Sequence, residues 1–370
     1  MTAVPDTPFV AVDVAALERN ISSMQERMAD RGIGVRPHTK TSKCIEVVTR
    51  QVDAGAVGLT VATLGEAESL VSHGFWSVFH GYPLWAGTAS RARRVRALHE
   101  ECDYLVGVES PEAATSLAAA VRGSGSPLRV LIELDCGMQR SGVHPEAVAD
   151  LAQRCGDLGL DVRGAFTFGG HAYQSCDAPV HAGDDEVNAL TAARDALLGI
   201  GLVPQILSAG STPTALHSAR PPVTDERPGT YVFLDRQQVA LGAGEIKQAS
   251  LVVLTTVVAS HADGRFVLDA GSKVLSTDRP QWLEGFGYLP AYPDAVVARL
   301  SEHHAVCTTT ARRPRVGEVL ALIPNHCCVV VNLVDTLHAV PTIDLHADLL
   351  DPTIWHGAER WSVASRGANT

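Results

Sequence analysis

The chain has 370 residues, too many for one minimal domain and enough for a large domain of ~250 residues with a smaller one beside it. Hydrophobic residues make up 46% and charged residues 19%, a globular composition that excludes wholesale disorder. With 41 acidic against 30 basic side chains the formal charge is -11, which argues against a nucleic-acid surface or a basic membrane-docking face. No apolar run reaches the ~18 residues of a membrane span. The opening MTAVPDTPFVAVD lacks the basic flank and apolar core of an export signal. Eight cysteines are scattered without the spacing of a disulfide framework, so reduced thiols in a soluble cytoplasmic protein are expected.

Over the first two thirds of the chain, short β-branched runs alternate with helical patterns. Strands are expected at Phe9–Asp13 and at residues 34–37, 57–62, 78–81, 104–108, 130–135, 162–168, 205–209 and 231–234. After the first, Leu17, Ile21, Met24 and Met28 form one apolar stripe of a helix ending near Gly32. Helical patterns also cover residues 66–72, 90–102, 111–122, 145–155 and 184–198. Such alternation points to a parallel sheet, and the number of repeats favours a closed (β/α)8 TIM-type barrel over an open doubly wound sheet. Residues 122–127 (RGSGSP) read as a loop within it.

Beyond Gly244 the texture changes. Residues 250–260, 265–268, 318–322 and 328–335 are short strand-like runs between turn residues, and 294–300 reads as a short helical turn. The expected organisation is a barrel over residues 8–244 and a C-terminal β-rich domain over 245–370, joined by residues 1–7.

Four constellations could carry chemistry. RPHTKTSK (36–43) follows a strand, and the carboxyl ends of barrel strands are where sites are built. A lysine desolvated there loses pKa and can form a Schiff base; the bland reading is two solvated lysines at a helix start. SAGSTPT (208–214) places Gly210, Ser211 and Thr212 between a strand and a helical pattern, where backbone amides suit a phosphate or simply cap a turn. LDCGMQRSGV (134–143) presents Arg140 from a glycine loop, fit for an anionic oxygen or a surface salt bridge. GGHAY (169–173) brings His171 and Tyr173 to the same mouth, unless the histidine is a satisfied core residue. Fourth, PNHCC (324–328) precedes a valine run. On an extended segment residues i and i+2 share a face, so His326 and Cys328 can reach one ion, a pair that suits Zn2+. Two ligands leave coordination positions open, as a catalytic metal needs, although a lone His-x-Cys is common by chance.

Together these motifs resemble the D-threonine aldolase and D-serine dehydratase family, part of the alanine-racemase-like fold type III group. RPHTKTSK is similar to its pyridoxal-phosphate lysine segment, LDCGMQRSGV to the segment whose arginine approaches the cofactor phenolate, and SAGSTPT to its phosphate cup. ERPGTYVFLD (226–235) resembles the following signature strand, PNHCC the metal motif, and WSVASRG (361–367) the closing segment. The likeness runs from Phe9 to Gly367 with six motifs in order. It departs at Ser42, where the family often has histidine, and at His303, where it has an acid.

The resemblance implies a barrel carrying pyridoxal 5'-phosphate, a β domain carrying a divalent metal (Zn2+ favoured, Mn2+ or Mg2+ as alternatives), a small D-amino-acid substrate and a homodimer. Carried over by motif, Lys40 is the Schiff-base lysine and catalytic base, with Lys43 its competitor. Gly210, Ser211 and Thr212 would bind phosphate; Arg140, His171, Tyr173 and Tyr231 would lie around the cofactor; His326 and Cys328 would hold the metal. The implied activity is a lyase on D-3-hydroxy amino acids. The His-x-Cys pattern tilts it toward D-serine or D-threonine dehydration over retro-aldol cleavage to glycine and an aldehyde. Racemization needs a second acid/base, for which Tyr288 and Tyr292 are the candidates outside any racemase motif. A non-catalytic cofactor carrier would have the barrel alone. Loops at residues 82–88 and 277–288 are expected to set the size of the 3-substituent.

Overall fold

The computed structural model describes residues 4–370. Its first strand, β1 (Phe9–Asp13), leads into a helix over Val14–Ala29 that buries Leu17, Ile21 and Met28, the stripe read from their spacing. Eight parallel strands follow: β2 (Gly34–Val35), β3 (Leu59–Val61), β4 (Ser77–His80), β5 (Asp103–Val108), β6 (Arg129–Leu134), β7 (Asp161–Thr167), β8 (Ile206–Ala209) and β9 (Asp225–Glu226). They pair in the order β2-β9-β8-β7-β6-β5-β4-β3. The two ends of that row meet through a parallel bridge between His38 and Thr60, where Thr60 N donates to Pro37 O at 2.8 Å and Val57 N to Val35 O at 2.9 Å. The sheet therefore closes on itself, the TIM-type barrel that the alternation predicts.

Both faces of a closed parallel sheet are covered, so its strands read as continuous apolar runs. Phe79, Leu105, Leu131 and Phe166 form one interior cluster, the two phenylalanine rings edge-to-face at 5.0 Å. Each such side chain contributes roughly 1.5–3 kcal/mol of burial. Above them lies a charge: the buried Arg227 guanidinium stacks on Phe166 at 5.3 Å and on Phe79 at 5.9 Å and donates to Ser208 Oγ at 2.6 Å.

The eighth barrel strand is β9, two acidic residues that no strand pattern announces. The apolar run at 231–234, expected as a strand, is instead a single 3-10 turn over Thr230–Val232. The amides of Phe233 and Leu234 both return to Thr230 O, and Leu234 takes a φ of 48°, which ends any extended path.

The remaining strands are β10 (Leu251–Ser260), β11 (Arg265–Leu268), β12 (Val296–Leu300), β13 (Ala305–Thr308), β14 (Val319–Leu322), β15 (Thr336–Val340) and β16 (Glu359–Ser362). They form a second sheet, β12-β13-β11-β10-β1-β15-β16 with β14 also on β10. β1 sits inside this sheet and not in the barrel: it runs antiparallel to β10 (Val10 opposite Val253) and parallel to β15 (Val12 opposite Ala339). Phe9, Leu254, Ile323 and Trp355 pack in its core. The chain accordingly divides into a barrel unit of residues 23–40, 48–229 and 367–370, and a mixed-sheet unit of residues up to 22, 41–47 and 230–366. Of residues 1–7, placed with the second domain by the sequence, 1–3 lie outside the described residues. Val4 packs on the mixed-sheet core, and Thr7 Oγ1 donates to Asp269 Oδ2.

Two further expectations in the mixed-sheet unit are corrected. Residues 294–300 contain strand β12, paired with β13, and not a helical turn. Residues 328–335 fall largely in a helix, Cys327–Leu333, and not in a strand. Asp235 Oδ2 accepts Cys327 N at 3.0 Å and satisfies an amide that a helix start leaves open, overriding the β propensity of the valine run. No helix among the described residues is long and apolar enough to cross a membrane.

Candidate active site and metal centre

In the barrel unit, the chain leaves β2, bridges at His38 and turns through the 3-10 helix Thr39–Thr41, presenting Lys40 at the carboxyl end of the strands. Lys40 Nζ donates to Tyr82 Oη at 3.1 Å and lies 5.3 Å from the centroid of that ring. Arg140, from the loop after β6, stacks on the same ring at 5.3 Å and on Phe168, just past β7, at 5.2 Å. His38 meets Tyr82 edge-on at 6.1 Å, and neither of its ring nitrogens has a partner among the described residues. Burial, then the charge of Lys40, holds the His38 imidazole well below its ordinary pKa, so it is neutral. Three strand ends thus bring an amine, a phenol, a guanidinium and a neutral imidazole together.

The loop after β8 supplies the second part. Gly210 has φ +105°, and a Cβ there would run into the Glu226 carboxylate and come within 3.0 Å of Arg227 N, so only glycine fits. Ser211 Oγ and N each lie 3.0 Å from Thr214 Oγ1, and Ser211 and Thr212 are buried. A glycine turn bearing hydroxyls at the carboxyl end of a parallel strand is a cradle that suits an anion.

Beneath this loop lies a group that the sequence does not announce. Glu186 Oε1 accepts Gly169 N at 2.7 Å and Gly210 N at 3.1 Å, tying the loops after β7 and β8 to one carboxylate. Glu186 and Glu226 are fully buried. Burial, reinforced for Glu226 by the neighbouring Glu186 charge, raises both carboxyls, Glu226 well above the usual range. His171 and Tyr173 share the 3-10 helix Gly170–Tyr173 after β7. His171 Nε2 is 3.0 Å from Asp185 Oδ2, while its buried Nδ1 has no partner among the described residues.

Lys40 and Arg140 are therefore joined through Tyr82, and the loops bearing Gly210 and His171 through Glu186. Tyr231 is buried within the mixed-sheet unit. Lys43 is in that unit too. It is buried with φ 47°, and its Nζ donates to Asn332 Oδ1 at 2.9 Å.

Also in the mixed-sheet unit, His326 is the N-cap residue of the helix Cys327–Leu333, and Cys328 stands in its first turn. The shared face expected from a strand is absent. The two side chains nevertheless meet, because at a helix start the turn folds Cys328 back toward the cap, and the thiol hydrogen-bonds to the imidazole. Hydrogen bonding from Cys327 and the His326 charge hold the Cys328 thiol well below its ordinary pKa despite burial, which favours the thiolate, the form that binds metals. Thr41 Oγ1 lies 3.3 Å away. An imidazole and a thiolate fit a divalent ion at an open site, although no group of three or more His, Cys, Asp or Glu side chains is arranged for one among the described residues. Sequence reasoning placed Tyr82 only as a loop residue and missed Glu186. Asp278, whose Oδ2 is 2.5 Å from His326 Nδ1, also appeared there only within a loop.

A family model described as "Alanine racemase, N-terminal domain" matches residues 12–237, and one described as "Putative serine dehydratase domain" matches residues 250–340. D-threo-3-hydroxyaspartate dehydratase from Delftia sp. (strain HT23) is 32% identical over 347 residues, spanning 87% of this chain and 91% of the relative. The chain belongs to the alanine-racemase-like family of D-threonine aldolases and D-serine dehydratases. Membership implies pyridoxal phosphate as cofactor. D-threonine aldolase from Arthrobacter sp. is 28% identical over 375 residues, covering 98% of this chain and 93% of the aldolase. The solved structure of the Delftia dehydratase superposes with a TM-score of 0.86 at 29% identity, each chain covered to 97%. Two variants of that dehydratase also superpose, at TM-scores of 0.85 and 0.86. One carries a cysteine-to-alanine change and is described as metal-free; the other carries a histidine-to-alanine change two positions earlier.

Proposed function

We propose that this protein is a pyridoxal-phosphate- and divalent-metal-dependent lyase of D-3-hydroxy amino acids, of the dehydratase type. The observation that carries the reading is the Lys40 amine at the barrel mouth, bonded to Tyr82 beside the Arg140 guanidinium, at the family's cofactor-lysine position. Lys40 would hold the cofactor, and its Nζ is the group placed to take the substrate α-proton. Gly210, Ser211 and Thr212 receive the phosphate, Arg140 and His171 with Tyr173 border the ring, and Tyr231 is assigned to the same cofactor from the signature motif. The cofactor supplies an electron sink for the carbanion, and a metal on His326 and Cys328, Zn2+ favoured over Mn2+ or Mg2+, supplies a Lewis acid for the departing hydroxyl.

The His-x-Cys spacing is what favours dehydration, and the variants of the Delftia dehydratase support it. The 28% identity to an aldolase keeps retro-aldol cleavage as the second reading. Racemization is disfavoured by the packing of one of its candidate acids: Tyr292 is buried, donates to Glu318 Oε1 at 2.6 Å and has its phenol pushed up to about 12 by burial and that carboxylate. A homodimer in the cytoplasm completes the proposal; the eight free cysteines suit a reducing compartment.

The test is to incubate the purified protein, supplied with pyridoxal phosphate and Zn2+ or Mn2+, with D-threonine and with D-threo-3-hydroxyaspartate, and to identify the products. Ammonia with a 2-oxo acid supports the dehydratase reading. Glycine with an aldehyde establishes the aldolase instead, and a racemized amino acid with neither product overturns both.

A further inference from the structure

His326 reaches in two directions. Its Nδ1 lies 2.5 Å from Asp278 Oδ2, and its ring is hydrogen-bonded to the Cys328 thiol. Asp278 comes from the loop after the short helix Ser272–Leu275, far from His326 in sequence. The carboxylate is half-exposed, so nothing in the packing of the core requires it to turn toward the imidazole.

An imidazole offers a metal one nitrogen, and which one is decided by the bond that the other makes. A carboxylate on Nδ1 keeps the proton there, leaves the Nε2 lone pair as the donor, and fixes the ring plane. We infer that Asp278 is a positioning residue for the divalent metal: it orients His326 so that Nε2 and Cys328 Sγ face one ion, without itself being a ligand. The inference rests on the metal reading above.

Metal affinity reads this directly, apart from activity. The full-length protein is stripped with a chelator, and Zn2+ binding is followed by competition with a chromophoric chelator for the wild type and for Asp278→Ala, Asp278→Asn and His326→Ala. Loss of an outer-shell carboxylate weakens metal binding by ~10–100-fold. Asp278→Ala is expected in that range, His326→Ala to weaken binding further, and Asp278→Asn, whose amide oxygen still accepts the Nδ1 proton, to stay within about threefold of wild type.

Substitution of Co2+ separates positioning from ligation. An unchanged ligand-field and thiolate charge-transfer spectrum in Asp278→Ala at saturating metal supports the inference. A changed spectrum makes Asp278 a ligand and overturns it. Equal Zn2+ affinity in Asp278→Ala and wild type overturns it alone, whereas a wild type that binds no metal overturns the metal reading beneath it.

Discussion

Lys40 Nζ and Tyr82 Oη are 3.1 Å apart, and the Tyr82 ring that receives the ammonium on its edge carries the Arg140 guanidinium 5.3 Å from its centroid. One aromatic ring therefore fixes the distance between the two cations at the mouth of the barrel. Tyr82→Phe keeps the ring and removes the hydroxyl. A hydrogen bond to a charged group is worth ~1.5–3 kcal/mol, so kcat is expected to fall about tenfold or more. Thermal stability should stay near wild type. An unchanged kcat would show that the hydroxyl does not act on Lys40.

The two lysines of RPHTKTSK have different fates, and paired substitutions separate them. Lys40→Ala is expected to lose the yellow cofactor colour on dialysis and at least ~10³-fold in rate, the scale of a lost acid–base group combined with a lost covalent anchor. Lys43→Met should keep the colour and lose on the order of 1 kcal/mol of stability, because the half-buried Asn332 Oδ1 loses its donor. Visible absorbance after dialysis and thermal melts decide the matter; a colourless Lys43→Met beside a yellow Lys40→Ala would reverse the assignment.

Glu186 holds the amides of Gly169 and Gly210 on one oxygen. Glu186→Ala releases both loops and leaves two buried amides open, each a cost of ~1–3 kcal/mol. The expected result is a lower melting temperature and at least tenfold weaker pyridoxal-phosphate binding by fluorescence titration. Wild-type cofactor affinity in this variant would show that the cradle at Gly210 does not depend on the clamp.

Glu226 makes stability depend on pH. Burial, then the neighbouring Glu186 charge, raises its carboxyl well above the value it has in the unfolded chain. The folded state therefore favours the protonated form. That contribution is complete below the ordinary carboxylate range and is lost as the pH climbs through the raised folded value. Glu226→Gln, which cannot ionise and still accepts from Ser218 Oγ, should melt on the order of 2 °C higher than wild type at pH 8, corresponding to about 1 kcal/mol for a chain of this length. At pH 5 the difference should be small. Parallel melting curves for the two proteins across that range would refute the assignment.

By itself, the sequence determined the elements whose signal is local. The barrel strands were legible because a strand buried on both faces is a continuous apolar run, and the stripe of Leu17, Ile21 and Met28 because a helix repeats every 3.6 residues. Lys40, Arg140 and the Gly210 loop were legible because strand-end motifs of this kind carry their spacing with them. Where a distant partner outweighed local preference, the reading failed. Phe9–Asp13 went to the mixed sheet because β10 and β15 lie on either side of it, and the valine run after His326 became a helix once Asp235 took the Cys327 amide. β9 went unseen because its residues are two acids, held inside by Arg36 and Ser218 instead of by apolar burial. Only the tertiary structure could join Tyr82 to Lys40, Glu186 to Gly210 and Asp278 to His326. A hydrogen bond formed across many residues leaves no period in the chain; it exists once the backbone has brought its two ends within 3 Å or so of each other.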